Sequence, residues 1–308
     1  MVGYDANSNE YLWVYATDDN GAPKAPATQR FSLPGFYGLQ VDPHAYFSYI
    51  VSVYPIGQTY NSTFYIRRYL IDPMTGALSS SEAEAKYVLP NGAEGTTECY
   101  VQLYGFNPSA SELYDAVGCI GHDGDTITYN QRILNSQTGA LGPDAQIYSW
   151  TNGNEGYGGV QFVGNLMLEV VTSNGFQQGV NSVNIYPRVP STSPPLVQCT
   201  ASMLEACGYS GGVVHPSAKY VFMAITGDTT QIDRVELSHK KIVDTGNYIP
   251  YSVGQFSPDG TLVYAGSPES SGYEIEIYGF DVATGNVTPG GAIPVPSNLD
   301  PFYVAVRN

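Results

Sequence analysis

The stretch Tyr251–Pro258 reads YSVGQFSP, and its spacing is repeated at Phe36–Pro43 (FYGLQVDP) and Tyr209–Pro216 (YSGGVVHP). In each copy an aromatic residue begins a short segment that ends at a proline seven residues later. A run rich in Tyr or Val follows each proline. This order predicts one strand, a tight turn and the next antiparallel strand. Because the same unit recurs, we expect the chain to be built from copies of one small β structure.

Extending this alignment gives five complete units and one unit divided between the two ends of the chain. The first strands are predicted to begin near Phe36, Glu98, Tyr157, Tyr209, Tyr251 and Phe302. Second strands are predicted at 46–53, 112–119, 166–173, 220–227 and 262–267. A third strand follows in each unit, and several third strands end in a Thr-Gly turn before a short fourth strand.

Four antiparallel strands per unit, repeated every 42 to 62 residues, are typical of β-propeller blades. We therefore predict an all-β, single-domain propeller covering 1–308, with six blades by repeat count and seven as the alternative. The predicted blades are 36–97, 98–156, 157–208, 209–250, 251–301, and 302–308 joined with 1–35. Placing both chain ends in one blade would close the ring and protect its strand edges.

Several phrases give a family resemblance. The sequences FSPDGTLVYAGS (256–267), VVHPSAKYVFMA (213–224) and YGFDVATGNVTP (278–289) resemble repeats of the lactonase-like propeller superfamily. That superfamily includes YVTN-repeat surface proteins, 6-phosphogluconolactonases and carboxymuconate-cyclising enzymes. The resemblance implies a propeller, usually of seven blades, and a lactonase or cycloisomerase activity as one functional expectation. Fold likeness alone does not establish that activity.

The charge of the chain excludes some classes of partner. Its 12 Lys and Arg residues stand against 28 Asp and Glu residues, which gives a net charge of -16. Such a chain repels nucleic-acid phosphates and anionic membranes. No apolar run approaches the roughly 20 residues that a membrane span needs, and no leader segment precedes the first predicted strand. We expect a monomer that binds neither nucleic acid nor a cofactor and has no membrane span.

The four cysteines suggest two disulfides. Cys199 and Cys207 bracket a short loop, while Cys99 and Cys119 lie symmetrically about residue 109, in the predicted turn between two strands. Symmetry of that hairpin would place Cys99 opposite Cys119, within disulfide reach. Two pairs favour an extracellular, periplasmic or cell-envelope location. Four free, buried cysteines in a cytosolic protein remain the alternative.

The innermost strands suggest a ligand-binding surface. In a propeller the first strand of each blade follows the central channel, so the residues that begin these strands would surround one mouth. The predicted aromatic set is Phe36, Tyr37, Tyr157, Tyr209, Tyr251, Phe302 and Tyr303. Uncharged amides recur four positions further on, at Gln40, Gln102, Gln161 and Gln255. Aromatic rings and amides together suit a neutral, carbohydrate-like ligand.

Two other interpretations of these positions stay open. The aromatic side chains could fill the core between blades, as aromatic residues at repeated positions usually do. The loops between second and third strands are predicted to reach the same face, and they carry Tyr60, His122, Asp123, Asp125, Phe176, Asp228 and Glu269. Glu169 interrupts an apolar run and is either a buried functional carboxylate or the solvent-facing member of a strand.

An enzymatic site would need different groups. Lactonases of the resembling family act on anionic substrates, which require Arg or Lys at the mouth and an acid or base for proton transfer. The weak catalytic candidates are Glu98 and His122. Arg67, Arg68, Arg132 and Arg234 fall on predicted third strands, away from the mouth, and His44 and His215 look like turn residues at its opposite end.

No metal site is predicted from the sequence. Asp123 and Asp125 are weak calcium candidates because their oxygen atoms are closely spaced, as in the acidic turn at 18–21. Neither segment has the full set of ligands of a calcium loop. The leading hypothesis is an exported propeller that binds a neutral glycan-like ligand. A lactonase-like hydrolase or cycloisomerase is the alternative, and a structural surface protein without a small ligand is the third reading.

Overall fold

A computed structural model describes residues 2–4, 9–17, 23–42, 44, 46–54, 61–79, 83–90, 98–107, 109–120, 125–152, 155–163, 166–173, 181–187, 196–201, 211–224, 229–257, 259–269, 272–294 and 300–303. The chain forms two compact units, residues 1–153 with 298–308 and residues 154–297. Each unit consists of antiparallel β-sheets. The predicted extent of a single domain and of its blades stays a prediction.

The first unit begins with eleven strands. They are β1 (Val2–Tyr4), β2 (Glu10–Thr17), β3 (Pro23–Ser32), β4 (Phe36–Val41), β5 (Phe47–Tyr54), β6 (Asn61–Leu70), β7 (Ala83–Pro90), β8 (Glu98–Phe106), β9 (Glu112–Ile120), β10 (Asp125–Leu134) and β11 (Leu141–Asn152).

The second unit contains twelve strands and one 3₁₀ turn. They are β12 (Glu155–Val163), β13 (Leu166–Ser173), β14 (Asn181–Pro187), β15 (Val197–Ala201), β16 (Gly211–Val214), β17 (Tyr220–Ala224), β18 (Thr230–Glu236), the 3₁₀ turn Leu237–His239, β19 (Lys241–Ile249), β20 (Ser252–Phe256), β21 (Leu262–Glu269), β22 (Gly272–Asp281) and β23 (Asn286–Pro294). The final strand, β24 (Asp300–Tyr303), belongs to the first unit.

The described strands pair into six four-stranded sheets. We name them sheet I (β4–β7), sheet II (β8–β11), sheet III (β12–β15), sheet IV (β16–β19), sheet V (β20–β23) and sheet VI (β24, β1, β2, β3). Strands consecutive in sequence are neighbours within sheets I to V, as in the blades of a β-propeller. In sheet VI the last strand pairs with the first, with Gly3 opposite Pro301. The predicted all-β propeller fold, including a sheet shared by both chain ends, is confirmed, and the count of six blades stays a prediction.

Burial within a sheet falls from the second strand to the fourth. Residues 47–52 of β5 are all buried, because both faces of that strand are covered by neighbouring sheets. The edge strand β7 instead carries exposed residues at alternate positions along much of its length. Residues on both faces of an inner strand therefore supply the core, whereas one face of an outer strand meets solvent.

The turns between first and second strands share one construction. Asn107 Oδ1 accepts hydrogen bonds from the N–H groups of Ser111 at 2.8 Å and Glu112 at 3.0 Å. In sheet V, Ser257 Oγ accepts the N–H of Leu262 at 2.8 Å. Both acceptors directly precede the turn proline of the repeat. A polar side chain at this position satisfies backbone groups that the turn leaves unpaired, which explains its place in the repeated sequence.

The Thr-Gly turns join neighbouring sheets within each unit. Gly139 in sheet II has φ +68°, and a Cβ built there would lie 2.7 Å from Cγ of Phe47 in sheet I. The Tyr49 hydroxyl donates to the Gly139 carbonyl at 2.6 Å. In sheet V, Gly285 rests in the same way on the ring of Tyr220 in sheet IV, with 2.8 Å to a built Cβ. Glycine is needed at these turns both for backbone conformation and for close contact.

The hydrophobic cores lie between sheets. The core between sheets I and II includes Phe47, Tyr49, Val51, Phe64, Ile66, Val101, Leu103, Leu113 and Leu134. The core between sheets IV and V includes Tyr220, Phe222, Ile232, Ile249, Phe256, Val263, Ala265, Tyr278 and Phe280. A third cluster joins sheets VI and I through Leu12, Leu33, Phe36, Leu39 and Ile50. At these three interfaces the facing sheets bury each other's apolar side chains, as the repeat implies.

Candidate functional site

The predicted aromatic mouth is described only in part. Phe36 is a core residue, 9% exposed, in the cluster between sheets VI and I. Tyr251 is half-buried and packs against the core between sheets IV and V. The other predicted aromatic side chains lie outside the described residues, namely Tyr37, Tyr157, Tyr209, Phe302 and Tyr303. For Phe36 the structure matches the interpretation in which aromatic residues fill the core.

A β-bulge explains the position of Phe36. The register shifts between Phe36 and Gly38, so Phe36 pairs with Ser52 while Gln40 pairs with Tyr49. Two residues of β4 therefore oppose one residue of β5, and the alternation of side chains reverses at this point. Phe36 consequently shares a face with Leu39 and not with Gln40. The four-residue spacing in the sequence does not place Phe36 and Gln40 together.

The recurring amides lie on first strands, with different surroundings. The Gln40 side-chain oxygen lies against the neighbouring sheet, 3.9 Å from a Cβ built on Gly105. Gln102 is exposed, and its Oε1 accepts a hydrogen bond from the Tyr104 hydroxyl at 3.0 Å. Gln255 is half-buried and pairs across the sheet with Tyr264. The side chain of Gln161 lies outside the described residues.

The structure adds two tyrosines beside Gln102 that the sequence alignment missed. Tyr100, Gln102 and Tyr104 form a row along β8, which we call the β8 stripe. The Tyr100 ring packs directly over Gly118 of β9 and leaves no room for a Cβ at that position. Tyr104 occupies a bulge between Leu103 and Gly105. The alternation in ECYVQLY (98–104) was the signal that could have identified Tyr100.

Burial holds the rings of the β8 stripe in place. The Tyr104 ring packs edge-on against Tyr129, with centroids 5.5 Å apart. Burial of the Tyr104 hydroxyl, and secondarily the neighbouring Tyr100, raises the pKa of Tyr104 above its ordinary value. Tyr104 is therefore a neutral hydrogen-bond donor at physiological pH. With its oxygen fixed by Tyr104, the exposed Gln102 directs its amide N–H donors away from that bond.

The catalytic and metal candidates cannot be assembled into a site. Glu98 begins β8 and Asp125 begins β10, but their side chains lie outside the described residues, as do His122 and Asp123 entirely. The Glu169 side chain and the loop residues Tyr60, Phe176 and Asp228 also lie outside, and so does the Glu269 side chain. Among the described residues, no group of three or more His, Cys, Asp or Glu side chains is arranged to hold a metal ion.

The expected pairing of Cys99 and Cys119 is present. The two residues are directly opposite in β8 and β9, with Cα atoms 4.0 Å apart, and their sulfurs are bonded. Symmetry about the predicted turn located both members of the pair. The side chain of Cys199 and the whole of Cys207 lie outside the described residues, so their pairing stays a prediction.

A buried ion pair within sheet II, bonded to Tyr87 of sheet I, was not predicted. Asp115 on β9 is fully buried and Arg132 on β10 is 4% exposed, with Nε and Oδ2 2.5 Å apart. Asn130 donates to Asp115 Oδ1 at 3.0 Å, and the Tyr87 hydroxyl of sheet I donates to the same atom at 2.8 Å. Burial, reinforced by Asp115, raises the pKa of Tyr87. Each charge is already neutralised by its partner, so we assign this cluster a structural role, with Tyr87 linking sheet I to sheet II.

The two turn histidines behave differently. His215 is 1% exposed, its Nδ1 is 2.8 Å from Ser217 Oγ, and its Nε2 is 2.8 Å from the Gly260 carbonyl of sheet V. Because a carbonyl only accepts, Nε2 carries the proton. Burial lowers the pKa of His215, so its neutral form holds the turn. His44 is exposed and stacks near Tyr46 with centroids 6.2 Å apart. Both are turn residues, as the sequence suggested.

Comparisons with known proteins support the fold. The chain matches no protein-family model and no curated protein sequence. It is similar in structure to a putative 6-phosphogluconolactonase from Bacteroides uniformis ATCC 8492, with a TM-score of 0.57, 13% identity, and 96% of each chain covered. It is also similar to TolB from Acinetobacter baumannii, with a TM-score of 0.50 and 13% identity, covering 90% of this chain and 60% of the TolB chain.

These likenesses establish a β-propeller fold, as found in the 6-phosphogluconolactonase-like structure. At 13% identity they carry no functional residue from either protein to this chain. Within the described part of the chain, the helical structure is limited to the short turn Leu237–His239, and no helix is long and apolar enough to cross a membrane.

Proposed function

We propose that this protein is a binding module that takes a neutral polyhydroxylated ligand, of the glycan class, on the first strands of its sheets. The observation that carries this proposal is the β8 stripe. There an exposed amide at Gln102 stands between two half-buried rings, Tyr100 and Tyr104. Rings held by packing and a fixed amide form a surface that needs little rearrangement to bind a ligand.

The chemistry of the stripe suits a sugar. The Gln102 oxygen is engaged by the Tyr104 hydroxyl, which leaves the amide N–H groups to donate to a ligand hydroxyl. The tyrosine rings offer apolar faces and edges to the C–H groups of a sugar ring. Gln40 places a further uncharged amide on the first strand of sheet I, in the same unit. Amides and aromatic rings recognise hydroxyl groups without requiring charge.

Electrostatics favour a neutral ligand over an anionic one. The arginines in the described part of the chain, Arg30, Arg67, Arg68, Arg132 and Arg234, all lie on third or fourth strands. Arg68 is bonded to Glu84 at 2.9 Å, and Arg132 is committed to Asp115. A lactonase acting on an anionic sugar derivative would need a cation beside its substrate. The net charge of -16 opposes that class of ligand further.

We propose that the protein works in an oxidising compartment, either outside the cell, in a periplasm or in the cell envelope. The Cys99–Cys119 disulfide supports this location, because structural disulfides persist where thiols are not continuously reduced. A surface glycan would be accessible to a propeller in any of these places.

The test is calorimetric titration with a panel of neutral oligosaccharides. We expect binding that weakens about tenfold or more in Gln102→Ala and less strongly in Tyr104→Phe, since loss of a polar contact costs roughly 1–3 kcal/mol. Gln146→Ala is the matched control, because this glutamine is exposed on the outer strand β11. Absence of binding across the panel, or equal affinity in Gln102→Ala and Gln146→Ala, would reject the proposal.

The same preparation distinguishes the enzymatic alternative. Sugar lactones are added, and ring opening is measured through the acid that the reaction releases. Turnover that disappears in Glu98→Gln or His122→Ala would replace the binding-module proposal with a hydrolase. We expect no turnover above the rate in buffer.

A further inference from the structure

A cluster of basic residues lies at one end of sheet IV. Four of the chain's 12 Lys and Arg residues, together with one histidine, gather at the turns of this sheet. We call this cluster the basic turn patch, and its members are Lys219, Arg234, His239, Lys240 and Lys241. All five side chains are exposed. In a chain with a net charge of -16, this is a local reversal of sign.

The patch is assembled from two turns that meet. The Val235 N–H donates to the Lys219 carbonyl at 2.8 Å, which brings the turn between β16 and β17 beside the end of β18. The 3₁₀ turn Leu237–His239 then reverses the chain, and Lys241 pairs with Glu236 across the sheet. The cations therefore come from separate segments of sequence and share one end of one sheet.

One carboxylate organises the patch. Glu236 Oε1 lies 2.6 Å from Arg234 Nη2, and its Oε2 lies 3.1 Å from His239 Nδ1 and 3.4 Å from Lys241 Nζ. The hydrogen bond from Arg234, followed by the charge of Lys241, holds the pKa of Glu236 below its ordinary value. The cations converge on a carboxylate in this structure, but a single carboxylate leaves three of the four Lys and Arg charges in excess. The patch therefore has capacity for further carboxylates.

The neighbouring acid does not cancel this excess. Asp244, also on β19, already accepts the Gly246 N–H at 2.7 Å and the Tyr248 hydroxyl at 3.2 Å. It pairs across the sheet with Asp233, one position before Arg234 in β18. Its carboxylate is occupied within its own turn.

We propose that the basic turn patch is a docking surface for a short acidic peptide segment of a partner protein. Three independent lysines suit carboxylates spaced along a peptide, since each lysine acts as a separate point charge. Leu237, 43% exposed between the cations, supplies an apolar contact of the kind that peptides use. The acidic remainder of the molecule repels extended anionic surfaces such as membranes and nucleic acids, so a short segment fits best.

The experiment uses the full chain and a fluorescein-labelled peptide of glutamates interrupted by leucines, followed by fluorescence anisotropy. We expect saturable binding that weakens as salt is raised. Removing one exposed charge contact weakens binding by about two- to fivefold, so the double variant Lys240→Gln, Lys241→Gln should lose about four- to twenty-fivefold. The matched control is Lys24→Gln, Lys86→Gln, which removes the same charge from sheets VI and I.

Several results would overturn the proposal. These are failure of the peptide to bind, equal loss of affinity in the patch and control variants, or tighter binding to vesicles of anionic lipid or to inorganic phosphate than to the peptide. Thermal unfolding of both double variants checks that they are folded. If the patch variant is unfolded, Lys241→Glu and Lys219→Gln are measured singly, and each must weaken peptide binding for the proposal to stand.

Discussion

Replacing Asp115 with Asn tests the buried ion pair of sheet II, to which Tyr87 of sheet I donates a hydrogen bond. The substitution keeps an acceptor for Asn130 and Tyr87 but removes the charge that faces Arg132 at 2.5 Å. Arg132, only 4% exposed, would then keep as its counter-charge only the half-exposed Asp144, whose Oδ1 lies 3.8 Å from Arg132 Nη2. Breaking one partner of a buried pair typically destabilises a protein by about 3–5 kcal/mol. For a unit of this size we expect the melting temperature to fall by roughly 6–20 °C.

The assay is urea denaturation followed by far-ultraviolet circular dichroism, together with thermal unfolding. Arg234→Gln serves as the control, because the Arg234 side chain is 50% exposed in its ion pair with Glu236. We expect that control to change stability little. The double variant Asp115→Leu, Arg132→Met should recover most of the lost stability, since a well-packed apolar pair can replace a buried ion pair. The reasoning is refuted if Asp115→Asn is no more destabilising than Arg234→Gln.

Three further predictions concern the turns and the disulfide. Burial lowers the pKa of His215 in the folded protein. The stability that its neutral form provides is fully present above the ordinary pKa of 6.5 and is lost as pH falls through the lowered pKa. Between about pH 7.5 and pH 5, the melting temperature should therefore fall less in His215→Gln than in the wild type. Gly139→Ala should destabilise by about 2–4 kcal/mol in urea unfolding because of its positive φ and its close contact, whereas Gly246→Ala, with φ +75° and open space around it, should lose only about 1–2 kcal/mol; equal losses would contradict this account. Replacing Cys99 and Cys119 by Ser should lower the free energy of unfolding by about 3 kcal/mol, because the disulfide closes a loop over 20 residues. In this variant, reductant should cause no further loss of stability through this disulfide.

The repeated architecture was predictable because its information is local. A proline turn with a polar acceptor ahead of it, as at Asn107 and Ser257, recurs at a fixed distance from an apolar run. The Thr-Gly turns at Gly139 and Gly285 likewise depend on their own residues, together with an aromatic ring that packs against each glycine. These features follow from short stretches of sequence, so strand order and the sheet shared by the chain ends could be derived from spacing.

The site was less predictable because side-chain direction depends on register. A single bulge beside Phe36 turns that ring into the core, and the sequence contains no separate signal for it. Tyr104 sits in another bulge, where it reaches Gln102 without following strict alternation. For predicted mouth residues whose side chains lie outside the described part of the chain, such as Tyr157 and Tyr209, the placement at the mouth stays a prediction.

The partners of the buried Asp115 could not be predicted from the sequence. Asp115 interrupts the apolar run ELYDAVGC (112–119), which marks it as unusual, but nothing local identifies its partners. Arg132 lies 17 positions away and Tyr87 lies 28 positions away. The contact with Arg132 depends on side-chain direction within sheet II, and the contact with Tyr87 depends on how sheet I packs against sheet II; spacing within a repeat specifies neither.

The proposed function requires that the exposed amide of Gln102 contacts a neutral sugar. The most direct measurement is the side-chain N–H signals of Gln102, assigned by NMR through comparison with Gln102→Ala, during titration with a neutral oligosaccharide that calorimetry shows to bind. Progressive, saturable shifts of these signals, with the Gln146 side-chain signals unchanged, are predicted. Binding without any movement of the Gln102 signals would contradict the account.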